Sequence, residues 1–112
     1  MIAQDKVLFV LTSCPTREVA ETISRALVTE RLAACVNQIA GVQSTYIWDG
    51  EVQSDTEFLL AIKTTEGQIE ALKTRVAALH PYELPELIAL PVCAGSERNV
   101  ADPNRATARQ RR

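Results

Sequence analysis

Asp49-Gly50, placed between two long runs of strand-forming residues, constrains this chain more than any other feature. A type I′ turn needs positive φ at both central residues, and Asp-Gly is among the few pairs that accept it. One flank carries Val42, Tyr46, Ile47 and Trp48, and the other reads EVQSDTEFLLAIKTT. A two-residue loop places Trp48 opposite Glu51 and Cys35 opposite Thr64, with about 14 residues in each arm. Gly41 lies inside the first arm and marks a bulge or bend.

The remaining elements follow from periodicity. Residues 6–13, KVLFVLTS, are apolar on both faces and read as a central strand. Cys14-Pro15 ends it, Thr16 supplies an N-cap, and Val19, Ile23, Ala26 and Leu27 give helical spacing over 16–32. Ile69, Leu72, Val76 and Leu79 predict a second helix over 67–79, stopped by Pro81 and Pro85. Residues 86–92, ELIALPV, read as the last core strand. After Gly95 the periodicity is lost.

The order is β-α-β-β-α-β in one domain spanning 1–95, followed by a polar, loosely ordered tail over 96–112. Crossovers of the usual hand around a hairpin predict an α+β, ferredoxin-like fold. Its four-stranded antiparallel sheet has both helices on one face and an extended β-hairpin.

A geometric conflict then arises. Arms of about 14 residues reach about 46 Å. A 17-residue helix covers only about 25 Å. Two helices cannot cover such a hairpin. Its far end holds Tyr46, Ile47, Trp48 and Val52, an exposed apolar ribbon that needs a partner. Strands that are apolar on both faces leave the second face of the sheet in the same position. Both arguments predict an oligomer; the alternative is a shorter hairpin folded onto its own sheet.

Composition excludes several classes. The net charge is −2 and the hydrophobic share is 46%, ordinary for a globular chain and no footprint for nucleic acid. The apolar run at 7–11 is too short to span a membrane. Arg98, Arg105, Arg109, Arg111 and Arg112 crowd the end of the chain and read as a solvated terminus. Cys14, Cys35 and Cys93, three in number and widely spaced, are no disulfide framework. They suit free thiols in a cytoplasmic, reducing compartment.

The pieces Ala33-Ala34-Cys35-Val36-Asn37, Gly41-Val42, Ser44-Thr45-Tyr46-Ile47-Trp48, Gly50-Glu51, Ile62-Lys63-Thr64-Thr65 and His80-Pro81-Tyr82-Glu83-Leu84-Pro85-Glu86 occur in this order. With Cys14-Pro15, they closely resemble the CutA family of divalent-cation tolerance proteins, across residues 7–95. The resemblance implies a compact homotrimer whose hairpins pair across subunits, and a link to copper and other divalent metals. It also implies a structural kinship with the PII signalling trimers. Family members usually continue into an aromatic Tyr-Leu-x-Trp segment, whereas SERNVADPNRATARQRR contains no aromatic residue.

His80 is the single histidine. Imidazole is a good Cu(II) ligand, although a histidine at a helix C-terminus also serves as a cap. Cys14, between a strand end and a helix N-terminus, is expected to favour thiolate and to be a second metal ligand. Cys35, in an apolar stretch, reads as a small buried hydrophobe. Trp48, Glu57, Lys63, Tyr82 and Glu86, with Cys35, are candidates to line an intersubunit cleft. Solvated sheet-edge charge is the simpler account of the four polar ones. No nucleophile elbow, phosphate loop or Ser-His-Asp spacing supports an enzyme. The expected function is therefore a non-catalytic trimer that binds copper or another divalent cation and needs none to fold. The alternative is a PII-like signalling or scaffolding trimer that binds a small metabolite or a partner protein. A small hydrolase is a weaker third reading.

Overall fold

The computed structural model describes residues 6–95. Six elements follow in order: β1 (Val7–Cys14), α1 (Arg17–Thr29), β2 (Cys35–Trp48), β3 (Glu51–Thr65), α2 (Ile69–Leu79) and β4 (Leu87–Pro91). All four strands pair antiparallel in the order β2-β3-β1-β4. The ferredoxin-like arrangement expected from the sequence is thus the one observed. The tail assigned to 96–112 lies outside the described residues.

Alternation along the central strands sorts side chains between two faces. Val10 and Cys14 of β1 and Leu60 and Ile62 of β3 point to the helices. They meet Ala20, Ile23 and Leu27 of α1 and Leu72 and Val76 of α2 in one buried cluster. Each valine, leucine and isoleucine among them contributes about 1.5–3 kcal/mol on leaving water. Two threonines in this layer satisfy their hydroxyls on loop carbonyls: Thr12 donates to Glu86 O and Thr64 to Leu32 O.

Both helices are shorter than the sequence predicts. Thr16 caps α1 as expected, accepting the Val19 amide at 3.2 Å. The helix stops at Thr29 rather than residue 32, because Arg31 turns into the left-handed region at φ 61°. Leu32 still packs against the core from beyond the helix. The second helix starts at Ile69, not residue 67, and the last strand covers Leu87–Pro91 within the expected 86–92.

The hairpin follows the turn prediction at its tip and departs from it lower down. Asp49 and Gly50 hold φ of 52° and 79°, and Trp48 pairs with Glu51. Between Ile39 and Val42 the register shifts, with Gly41 at φ 75°. Ala40 and Gly41 together face the single residue Phe58. Cys35 consequently pairs with Lys63, not with Thr64. A one-residue shift exchanges the faces of a strand. Here it brings Val36 opposite Ile62 and onto the core.

Among the described residues, no helix covers the far face of the sheet. Ile39, Ile88 and Leu90 on it are 46%, 47% and 45% exposed. The hairpin projects beyond the helices and contributes to a longest dimension of 53 Å. Near its tip Ile47, Trp48 and Val52 are each about 70% exposed.

Candidate functional site

The chemistry-bearing side chains gather where the hairpin leaves the four-stranded sheet. Three segments meet there: the end of β1 at Ser13 and Cys14, the part of β3 around Glu57, and the 80–86 loop after α2. Pro81 builds that loop, since the residue before a proline is driven out of helical conformation. His80 is accordingly extended (φ −83°, ψ 137°), while its own amide still closes the helix on Val76 O at 2.8 Å.

The His80 ring is 7% exposed and engaged at both nitrogens. Nε2 lies 2.8 Å from Ser13 O, and Nδ1 accepts the Tyr82 amide at 3.1 Å. A carbonyl only accepts, and the nitrogen receiving an N–H carries no proton. The tautomer is therefore the Nε2–H form. The two rings, His80 and Tyr82, lie 4.8 Å apart and tilted by 50°. The Tyr82 hydroxyl then donates to Glu57 Oε2 at 3.2 Å.

Glu57 is a buried carboxylate, 7% exposed, next in sequence to Phe58, the residue paired with Cys14. Asp55, two residues earlier on the same face of β3, accepts the hydroxyl of Tyr46 from β2. Two carboxylates and two phenols thus form one acidic strip. Arg17, at the start of α1, stacks its guanidinium 5.0 Å from the Phe58 ring centroid.

The electrostatics follow. Burial first, and then the nearby negative charge of Glu57, pushes the Cys14 thiol from 9.0 up to about 11. The hydrogen bond to Asp55, with smaller effects of burial and nearby charge, pushes Tyr46 from 10.0 up to about 12. Tyr82 is also raised, by burial first and by Glu57 next.

These facts bear on the metal ligands expected from the sequence. Cys14 does sit between a strand end and a helix N-terminus. It is fully buried with a raised pKa, so the expected thiolate is not favoured. Desolvation outweighs the helix terminus. His80 has no ring nitrogen left for a metal without breaking a hydrogen bond. Among the described residues, no group of three or more His, Cys, Asp or Glu side chains is placed to hold a metal ion. Within one copy, therefore, the residues do not fit a resident metal centre.

Within one copy, the residues expected to line an intersubunit cleft are only partly brought together. Glu57 and Tyr82 touch. Lys63 and Trp48 each sit about 20 Å from Glu57, in opposite directions along the hairpin. Cys35 is paired with Lys63 at the far end, half-buried rather than buried. Glu86 is exposed, and its backbone carbonyl takes the Thr12 hydroxyl. The sequence reading missed Asp55 as the carboxylate neighbouring Glu57. The i, i+2 spacing on a strand was the available signal.

Known proteins share both sequence and shape with this chain. Residues 8–101 match the family model described as CutA1 divalent ion tolerance protein. The divalent-cation tolerance protein CutA of Thermus thermophilus is 55% identical over 87 residues, covering 78% of this chain and 84% of the relative. The chloroplastic protein CutA of Arabidopsis thaliana is 45% identical over 91 residues, and there the chain spans only 50% of the relative's length. The solved Thermus thermophilus structure superposes with a TM-score of 0.81 at 52% identity, covering 83% of this chain and 90% of that one. CutA1 from Oryza sativa gives 0.84 at 39% identity, over 88% and 90%.

Proposed function

The chain belongs to the CutA1 divalent ion tolerance family, and from that premise we propose that it acts as a non-catalytic homotrimer handling a divalent cation, copper first, as cargo. The observation that carries the reading is the hairpin tip, where Ile47, Trp48 and Val52 stand in solvent beyond the reach of either helix. A neighbouring copy laid along this ribbon, and along the uncovered sheet face, removes that apolar surface from water. It would also carry residues such as Trp48 and Lys63 of one copy toward Glu57 and Tyr82 of another. The cation would be met at such a cleft, where the carboxylates Asp55 and Glu57 supply negative charge that one copy alone does not complete into a site. Cys14, Cys35 and Cys93 are joined in no disulfide among the described residues, which suits the cytoplasm.

Light scattering tests the assembly, with a mass three times that of the 12.3 kDa chain expected and a monomer mass fatal to it. Calorimetric titration of Cu(II) into reduced, metal-free protein tests the cargo, beside Glu57→Gln. Binding weakened by that change supports the cleft. The absence of binding by either protein shifts the reading to the PII-like trimer with a small-metabolite or protein partner. The engagement of both His80 nitrogens favours that second reading.

A further inference from the structure

We infer that His80 is a positioning residue, a two-ended backbone clamp that fixes Tyr82 over Glu57, and not a cation ligand. The ring joins two segments 67 residues apart in sequence, holding Ser13 O with Nε2–H and the Tyr82 amide with Nδ1. Both contacts are made to backbone, so they fix the course of the loop. That course decides where the Tyr82 ring lies. At 4.8 Å the His80 ring also forms a wall against the Tyr82 ring, and the phenol at the far end reaches Glu57 at 3.2 Å. A histidine at a helix end, before a proline, thereby sets the donor on a buried carboxylate of another strand. What Glu57 meets there rests on the cation reading above. The clamp itself rests on the geometry and stands without it.

The chain holds two tyrosines, so Tyr46→Phe leaves Tyr82 as the single phenol and an isolated spectroscopic reporter. In that background the Tyr82 phenol is expected to ionise above 10.0, because partial desolvation and the adjacent buried carboxylate of Glu57 both favour its neutral form. Adding His80→Ala is expected to bring it back toward 10.0. Adding His80→Asn is expected to keep part of the rise, because the Asn amide oxygen can replace Nδ1 as acceptor for the Tyr82 amide. An unchanged Tyr82 titration in His80→Ala overturns the clamp. Should His80→Ala fail to fold, nitrogen NMR of the unaltered protein decides: the Nε2–H tautomer is required, and the Nδ1–H tautomer overturns the inference. Cu(II) titration of His80→Ala separates the clamp from a ligand role. A fall of about 10–100-fold, short of complete loss, is expected from a residue acting through another. Complete loss of binding with Tyr82 unmoved would make His80 a ligand. Absence of Cu(II) binding in the unaltered protein would remove the cation reading and leave the Tyr82 result to judge the clamp.

Discussion

The buried thiol of Cys14 feels the carboxylate of Glu57, and burial together with that charge pushes the thiol up to about 11. A residue expected to be a reactive thiolate is thus held as a thiol. The folded chain keeps this proton more tightly than the unfolded chain. Its contribution to stability is complete below pH 9 and disappears as pH rises through about 11. The pKa difference corresponds to about 2–3 kcal/mol. Denaturant unfolding of the protein and of Cys14→Ala at pH 8 and pH 11 checks this. The gap between the two should shrink by that amount at the higher pH.

Tyr46 is raised chiefly by its hydrogen bond to Asp55. Asp55→Asn, in a Tyr82→Phe background that leaves Tyr46 alone, should move its ionisation from about 12 toward 10.0. Ultraviolet titration reads the shift directly.

The hairpin tip should govern assembly and leave the fold intact. Trp48 and Val52 are each 71% exposed in the single chain, so Trp48→Glu with Val52→Glu removes no core contact. Light scattering across a dilution series should show dissociation at a concentration at least about tenfold higher than for the unaltered protein. Circular dichroism should remain unchanged.

Leu60 is fully buried in the cluster between the sheet and both helices. Leu60→Ala should cost about 2–5 kcal/mol through lost burial and the cavity left behind. Denaturant midpoints at fixed protein concentration measure it.

Gly41 holds φ 75° with nothing within 4 Å of a built Cβ. Gly41→Ala therefore meets strain without a clash and should cost about 1 kcal/mol. A cost several times larger in thermal unfolding would point to a contact made by a neighbouring copy.

Much of the architecture was readable along the chain, because turns, caps and alternation are local. Asp49-Gly50 marks a turn since few pairs tolerate two positive φ angles. Thr16 marks a cap since its hydroxyl reaches only the next turn. The i, i+3, i+7 spacing of Ile69, Leu72 and Val76 marks a buried helix stripe. Even the bulge was visible at Gly41. Its effect on pairing was not, because a bulge changes which partner each later residue meets. Cys35 thus opposes Lys63.

The site divides in the same way. The sequence alone determined that His80 precedes a proline at a helix end, that Tyr82 follows two residues on, and that the long hairpin outruns its helices. These are matters of spacing and reach. Only the tertiary structure decided what those residues meet. It brought Ser13 O to the far nitrogen of His80, placed Glu57 under the Tyr82 phenol and buried Cys14 away from water. Hydrogen-bond partners and desolvation depend on segments distant in sequence converging in space, and such convergence leaves no local mark on the chain.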